Sequence, residues 1–541
     1  MTLQVDRDSM MLPMKIPVQK TGLVMLFAAA FFLCSFPVWR TGTEGHDSIY
    51  YQRMGLQWMR GEWGFTCPGG NHTGFFRPVY FAVSALFFRF FGIHDYTLKI
   101  INLASLALLI WLLTLTARQL KIRAPFSYFP AVFFLFLPAT IRQSRIETPH
   151  LLSAVFTTLA FGMLLKFRGS KKPSCLVFSA LSLHAAMGTH EELALLAPGF
   201  LVLLLMDAFR ENARPLLTFL RQSALFSAAF FAPFLLYFFL WNPREILATL
   251  RFLQTFAPAS LLDPEKHFPV MAIELMTARL GILTGLPWIL FLYSHLAAQM
   301  LSSLKKYEPL RGAGLLIPPL VYCLLLDLVV TRNNSMRLVR VMIPLLPFVG
   351  LYFALQLQDW CQRSPSRRRN FAVAGFVIFA TGYNIGDLSS IPSFAHYNWY
   401  SPQPFYRYQT VHRTLHDRLK EKIGAGEKVL IAPSSFNAPY DAFNLPFYFN
   451  GQSISLDRCV AGTADFETFV RQHRIRFIFI GKTLPLPAGK VSSCLIPAGE
   501  TCSASRETEK LLEKLAPYQP VRMDFDNSSG TLYEIQAPSP G

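Results

Sequence analysis

Three short stretches place acids where an apolar run begins or has just ended: Asp47 in "EGHDSIYYQRM", Glu147 in "RQSRIETPHLL", and Glu191 with Glu192 beside His190 in "GTHEELALLAP". Arg77, Arg142, Arg145, Arg332, Arg337 and Arg340 stand in comparable places, in loops where lysine is nearly absent. A guanidinium is a planar fork of N–H donors that matches a phosphate in bidentate fashion, so arginines without lysines point to a held phosphate. The bland alternative is snorkelling of each arginine to lipid headgroups. Acids favour helix starts through capping and the helix dipole, which accounts for one such acid. Three of them beside a cluster of arginines point to a site. His190, with Glu191, is a candidate metal ligand, although a histidine at a helix start is more often a cap or a surface residue.

Such residues need elements to position them, and the composition says what kind. Of 541 residues, 52% are hydrophobic, 50 are phenylalanine and only 16% are charged, far from the average of a soluble protein. The chain reads as a polytopic α-helical membrane protein. Its net charge of +18 does not imply nucleic acid, because many lysines and arginines sit in short loops between apolar runs rather than on one polar domain. An anionic membrane surface is the expected partner. The first run, 23 to 39, follows a long tail and lacks a small-residue cleavage pattern, so it reads as a retained span rather than a signal peptide.

A helix needs roughly 20 apolar residues to cross the hydrocarbon core. About eleven runs qualify: 22 to 39, 96 to 117, 125 to 141, 149 to 166, 174 to 189, 191 to 207, 216 to 241, 269 to 298, 313 to 330, 338 to 357 and 371 to 387. The stretch 75 to 92, "FFRPVYFAVSALFFRFFG", is apolar but broken by Arg77, Pro78 and Arg89, and reads as an interfacial helix. With eleven spans and an inside N-terminus, the inner loops are "RQLKIRA", "KFRGSKKPS", "DAFRENARP", "SSLKKYEPLRG" and "QRSPSRRRN", and the outer side keeps only Lys99 and Lys266. That asymmetry is what the positive-inside rule demands. It places the acids and the six arginines together on the outer side, and everything after residue 387 outside.

Residues 388–541 read as a small soluble α/β domain, with "EKVLIAPSS", "QSISLD" and "IRFIFIG" as strands, "ADFETFVRQHR" as a helix and "MDFDNSSGTLYEI" as a hairpin. Asp524 and Asp526 belong to the turn of that hairpin. Outside, where disulfides persist, Cys494 and Cys502 close the short loop "CLIPAGETC" and are expected to pair. No GxGxxG, Walker A or HExxH pattern occurs, so no nucleotide cofactor is indicated.

These parts resemble a known family. "HDSIYYQRMGLQWMRGEW" followed by "FRPVYFAVSALFFRFFGIHDYTLKIIN" is similar to the first outer loop of the GT-C glycosyltransferases, in the branch of the protein O-mannosyltransferases and the aminoarabinose transferase of lipid A. "RIETPHLLSAVF" is similar to that branch's second acidic motif, and "RLVRVMIPLLPF" to its late R-x-x-x-P-x-x-P pattern, which selects Arg340, Pro344 and Pro347. The similarity covers residues 20 to 390. It departs where the branch has two prolines and this chain has Arg77-Pro78, and where a lysine often precedes span six and this chain has "HEE".

The resemblance implies a membrane domain, 1–387, that takes a sugar from a polyprenyl-phosphate donor to an acceptor hydroxyl on protein, lipid A or another glycan. Asp47 would be the base; Arg340, Arg337, Arg145 and Arg77 would hold the lipid phosphate; Glu147 would orient the acceptor or ligate a metal. A divalent metal at His190 and Glu191 is the cofactor that would fit. The implied place is a bacterial inner membrane with the C-terminal domain in the periplasm. The rival class is a transporter or flippase of lipid-linked saccharides, which would show internal repeats and ionisable groups at mid-membrane depth. No repeat is found, and Glu274 and His184 are the main ionisable groups within the runs.

Overall fold

Long runs of Leu, Phe and Ala punctuated by proline and by basic loops form helices, and proline marks several of their starts. In the computed structural model the described residues are 46–61, 77–93, 97–137, 140, 143–144, 148–211, 214–240, 284, 287–294, 296, 312–329, 342–363, 367–386, 419, 421–424, 426–432, 453–455, 466–472, 474–481, 513, 515–523 and 530–535. The helices are α1 His46–Met59, α2 Pro78–Phe91, α3 Thr97–Gln119, α4 Phe129–Leu135, α5 His150–Ser170, α6 Pro173–Thr189, α7 Ala197–Glu211, α8 Pro215–Leu240, α9 Ile317–Val329, α10 Leu346–Arg363 and α11 Arg367–Gly386. Short 3-10 turns, Phe126–Tyr128 and Glu191–Leu196, lead into α4 and α7. Pro78, Pro130, Pro173 and Pro215 each stand in a first helical turn, where the missing N–H costs nothing.

Among the described residues five helical stretches are long and apolar enough to cross a membrane: Thr97–Gln119, His150–Ser170, Glu191–Phe209, Pro215–Tyr237 and Met342–Gln362. Each coincides with a run read from the sequence. The runs 125 to 141, 313 to 330 and 371 to 387 appear as the shorter apolar helices Phe126–Leu135, Ile317–Leu326 and Phe371–Ala380. The run 22 to 39 and most of 269 to 298 lie outside the described residues. The stretch expected at the interface is the 14-residue α2. One side of it buries Tyr80, Phe81 and Phe88, while Leu86, Phe90 and Phe91 are exposed.

The helices differ in what they face. The window of Met342–Gln362 is 100% buried, that of Pro215–Tyr237 only 11%. The first is therefore a central helix against protein and the second a peripheral one, burying Phe226 and Phe230 while leaving Leu216, Leu220, Phe231 and Leu235 exposed. Around the centre, Trp288 packs on Phe129, Phe133, Phe353 and Phe376 with ring centroids 5.2 to 5.6 Å apart, the offset and edge-on contacts that add about 0.5–1.5 kcal/mol each beyond area burial.

The polar contacts separate into two groups along the bundle. At one end, Asn102 of α3 donates to the Gln143 carbonyl at 3.0 Å, Ser153 of α5 meets Thr189 of α6 at 2.6 Å, and Arg77 meets Glu191. At the other, Arg168 of α5 pairs with Asp207 of α7 at 2.6 Å and the Arg123 N–H donates to Gln358 of α10 at 2.5 Å. The first group draws on the loops read as outer, and the second on the ends of runs next to the loops read as inner.

In the C-terminal part, β1 Lys428–Ala432, β2 Ser453–Ser455, β3 Ile475–Gly481, β4 Val521–Arg522 and β5 Gly530–Glu534 form one sheet in the order β2-β1-β3-β5-β4. β1 runs parallel to both β2 and β3, whereas β5 runs antiparallel to β3 and β4. Alternation splits its apolar residues: Val429, Phe477, Phe479 and Leu532 pack with Leu419, and Leu430 and Ile478 with Val470, Leu515 and Tyr518. Helix α12, Phe466–Gln472, precedes β3. Three strands, this helix and the hairpin stand where the sequence placed them; Asp524, Asp526, Cys494 and Cys502 fall outside the described residues.

Candidate active site

Glycine and proline set the junction at the outer-loop end of the bundle. α6 ends at Thr189 with Gly188 in its last turn, and a Cβ there would stand 2.5 Å from Val79 Cγ2. Only a glycine lets the start of α2 lie this close. Pro198, the second residue of α7, has no N–H, so the regular helix begins there and the residues before it, Glu191–Leu196, form a 3-10 turn. That turn follows His190, whose extended backbone makes no side-chain cap.

Arg77, one residue before α2, is only 3% exposed. It is not a snorkelling arginine. Its Nε donates to Glu191 Oε2 at 2.6 Å and its Nη2 to Oε1 at 3.0 Å, a bidentate pair between positions 114 apart in sequence. Its Nη1 donates to the Tyr51 hydroxyl of α1, and the guanidinium carbon lies 5.2 Å from the centre of the Tyr51 ring. Tyr51 in turn meets Tyr80 of α2 edge-on at 5.2 Å. A buried guanidinium needs such compensation, because removing one member of a buried pair costs about 3–5 kcal/mol.

Beside the pair, His190 Nδ1 faces the Glu192 carboxylate, and the His190 ring lies 4.9 Å from that of His150, the first residue of α5. His150 belongs to "RIETPHLL", so the second acidic motif and "HEE" meet here. One ligand atom from each of His190, Glu191 and Glu192 lies within 4.8 Å of the others, a spacing that fits a metal ion. The charges argue for a different use of Glu191, since both its oxygens already hold Arg77.

Of the expected site residues, Asp47 lies in the first turn of α1, one helical turn before Tyr51. Glu147, Arg145, Arg337 and Arg340 lie outside the described residues. Their surroundings are partly visible: Gln143 and Thr148, which flank Glu147, are buried and hydrogen-bonded to each other. α10, which follows Arg340 in sequence, carries Gln358 at the far end of the bundle and so starts from the near one. Lys99, read as a loop charge, is fully buried near the start of α3.

No protein-family model matches the sequence, and no curated protein does. Solved structures do. A crystal structure of ArnT from Cupriavidus metallidurans bound to undecaprenyl phosphate matches with a TM-score of 0.53 at 14% identity, over 95% of this chain and 98% of that one. The same protein in the apo state gives 0.52 at 13% identity, over 96% and 99%. The chain thus shares the fold of these ArnT structures. The archaeal oligosaccharyltransferase AglB from Archaeoglobus fulgidus, in complex with an inhibitory peptide and a dolichol-phosphate, gives 0.45 at 10% identity, over 86% and 70%.

Within this fold, sequence reading found the acids and arginines but not their pairing. Tyr51 was overlooked as a site residue, and its signal was the i, i+4 spacing from Asp47 in the sequence. His150 was overlooked too, and its signal was the three-residue step from Glu147 into the next helix. His184 is buried between Phe230 and Tyr237 in the packing of α6 on α8. Glu274 lies outside the described residues.

Proposed function

We propose that this chain is a membrane glycosyltransferase that moves a sugar from a polyprenyl-phosphate donor to an acceptor hydroxyl at the outer face of the membrane. The observation that carries this reading is the convergence, at one end of a GT-C helical bundle, of α1 with Asp47, the start of α5 after Glu147, and the His190–Glu192 turn. The match to an ArnT structure holding undecaprenyl phosphate supports the donor class.

In this reading the acceptor oxygen attacks the anomeric carbon and the bond to the phosphate oxygen breaks, its electron pair leaving with the lipid phosphate. Asp47 takes the hydroxyl proton as general base, and Glu147 orients the acceptor. Arg340, Arg337 and Arg145 meet the charge that develops on the leaving phosphate, where fixed guanidinium donors are worth most. The membrane part, 1–387, does this chemistry and the part from 388 onward lies outside with the acceptor. The test is transfer by the purified protein from undecaprenyl-phosphate-linked sugars to a panel of acceptors: protein, lipid A and glycan. A protein that moves the intact lipid-linked sugar between leaflets without transfer would instead be the flippase.

One observation favours a second element, a divalent cation on His190 and Glu192 beside Glu191, the three ligand atoms lying within 4.8 Å of one another; with Glu191 already holding Arg77, such an ion would rest chiefly on His190 and Glu192. Such an ion would steady the acceptor or the phosphate. Transfer that is lost after dialysis against chelator and restored by manganese supports it; transfer indifferent to chelator removes it.

A further inference from the structure

Arg77 was expected on the lipid phosphate, yet the site commits it elsewhere. Its bidentate face is closed by Glu191 and its Nη1 is directed at Tyr51. Near the start of span six, where the resemblance leads one to expect a lysine, this chain has "HEE", and its Glu191 is the counter-ion of Arg77. We propose that Glu191 is a positioning residue: by holding Arg77 it fixes Tyr51, and through Tyr51 the register and tilt of α1, the helix that carries Asp47 one turn earlier. This rests on the glycosyltransferase reading above.

Three features of the geometry carry the argument. The pair joins positions 114 apart and ties the start of α2 to the 3-10 turn, next to the place where Gly188, in the last turn of α6, lets Val79 of α2 lie close. Arg77 and Glu191 are 3% and 11% exposed, so water screens them little. Tyr51 is gripped from two sides, by the Arg77 guanidinium and by the edge-on Tyr80 ring, both anchored on α2. A general base must lie within hydrogen-bond reach of its proton, and small displacements of a catalytic group are costly in rate. Fixing α1 is thus a condition for Asp47 to act.

The test uses the full chain in nanodiscs, with Glu191→Gln, Arg77→Gln, Tyr51→Phe and the charge-reversed pair Arg77→Glu/Glu191→Arg. Melting temperature, binding of undecaprenyl phosphate, and kcat and KM for a polyprenyl-phosphate sugar are measured well below each melting point. A positioning role predicts that kcat falls about 10-fold or more in Glu191→Gln while donor KM and undecaprenyl phosphate Kd stay within about 3-fold. Tyr51→Phe should show the same split. The reversed pair should recover melting temperature, and part of kcat, relative to the single changes, since coupled partners are non-additive. An Arg77→Gln protein with normal melting but undecaprenyl phosphate binding weakened about 10-fold or more would make Arg77 a phosphate ligand and overturn the proposal. So would Glu191→Gln with unchanged kcat. If the reversed pair does not fold, Glu191→Asp serves: it keeps the charge, and its kcat should lie above that of Glu191→Gln. A wild-type protein that binds undecaprenyl phosphate but transfers no sugar sinks the enzyme reading and the positioning role with it. The melting-temperature cycle would then still report whether the pair couples the two elements.

Discussion

In the proposed reaction the general base is Asp47, a residue of α1 one helical turn before a tyrosine that a buried arginine holds. Asp47→Asn keeps the size of the side chain and most of its hydrogen bonding while removing its basicity. Expression and melting should stay near wild type, and transfer should fall by about 10² to 10⁴, the loss expected when a general base is removed. If Asp47 only capped α1, Asn would cap as well and turnover would survive, which rate measurements on the two proteins decide. Glu147→Gln should fall less if it only orients the acceptor. The acids were legible in the sequence because charges at the ends of apolar runs stand out against their neighbours. The partner of Arg77 was not, because nothing local links a residue before α2 to one 114 positions later. Only the packing of α2 on the end of α6 brings them together.

Elements were legible to within a few residues wherever hydrophobic period and proline agreed, as at α3, α5 and α6. The 3-10 turn Glu191–Leu196 was read as the start of a span, because its composition is that of a helix and only Pro198 reveals where regular hydrogen bonding can begin. Close approach of elements gives a prediction. Gly188→Leu forces a side chain into Val79 and should cost about 1–3 kcal/mol, with transfer falling in step as α2 shifts. Gly169, whose added Cβ would meet nothing within 4 Å, is the control: Gly169→Ala should be neutral or more stable by up to about 1 kcal/mol. Thermal melting of both proteins checks this. In the sheet, Arg476 of β3 holds Glu427 at 3.0 Å and Glu534 at 3.0 Å. Slight burial pushes the Glu427 carboxyl up, but the Gly424 N–H and the Arg476 guanidinium outweigh it and leave it below the ordinary value. A lowered carboxyl binds fewer protons folded than unfolded, so its contribution is present above the ordinary glutamate value of roughly 4.3 and is lost as pH falls through the lowered one. Wild type should therefore resist proteolysis in this region better than Glu427→Gln at neutral pH, and the two should converge as acid protonates the carboxylate. A gap that persists in acid would mean the carboxylate is not what Arg476 contributes.

At the scale of the molecule, the two groups of polar contacts test the order of the spans without counting them all. α5 runs from His150, against His190, to Arg168, against Asp207; α6 returns to Thr189; α7 goes back to Asp207. Three successive traverses thus alternate as the loop charges require. Apolar composition alone gives no sidedness, and what supplied it was the lysine asymmetry, a property of insertion rather than of packing. In the proposed topology, a cytoplasmic N-terminus and eleven traverses would put the chain after residue 387, Arg77, His190 and Glu191 on the outer side and Arg168 with Asp207 on the inner. Alkaline phosphatase is active only outside the cytoplasm, so fused after residue 541 or inserted after Gly92 it should be active, and inserted after Ser170 it should be inactive. Active enzyme at Ser170 together with inactive enzyme at Gly92 would turn the bundle over. The acids would then face the cytoplasm, where a base beside Tyr51 would meet a donor before it crossed the membrane. Activity at Gly92 with inactivity at 541 would leave the site outside and remove one traverse from the part between residues 93 and 387, most simply from the run 269 to 298.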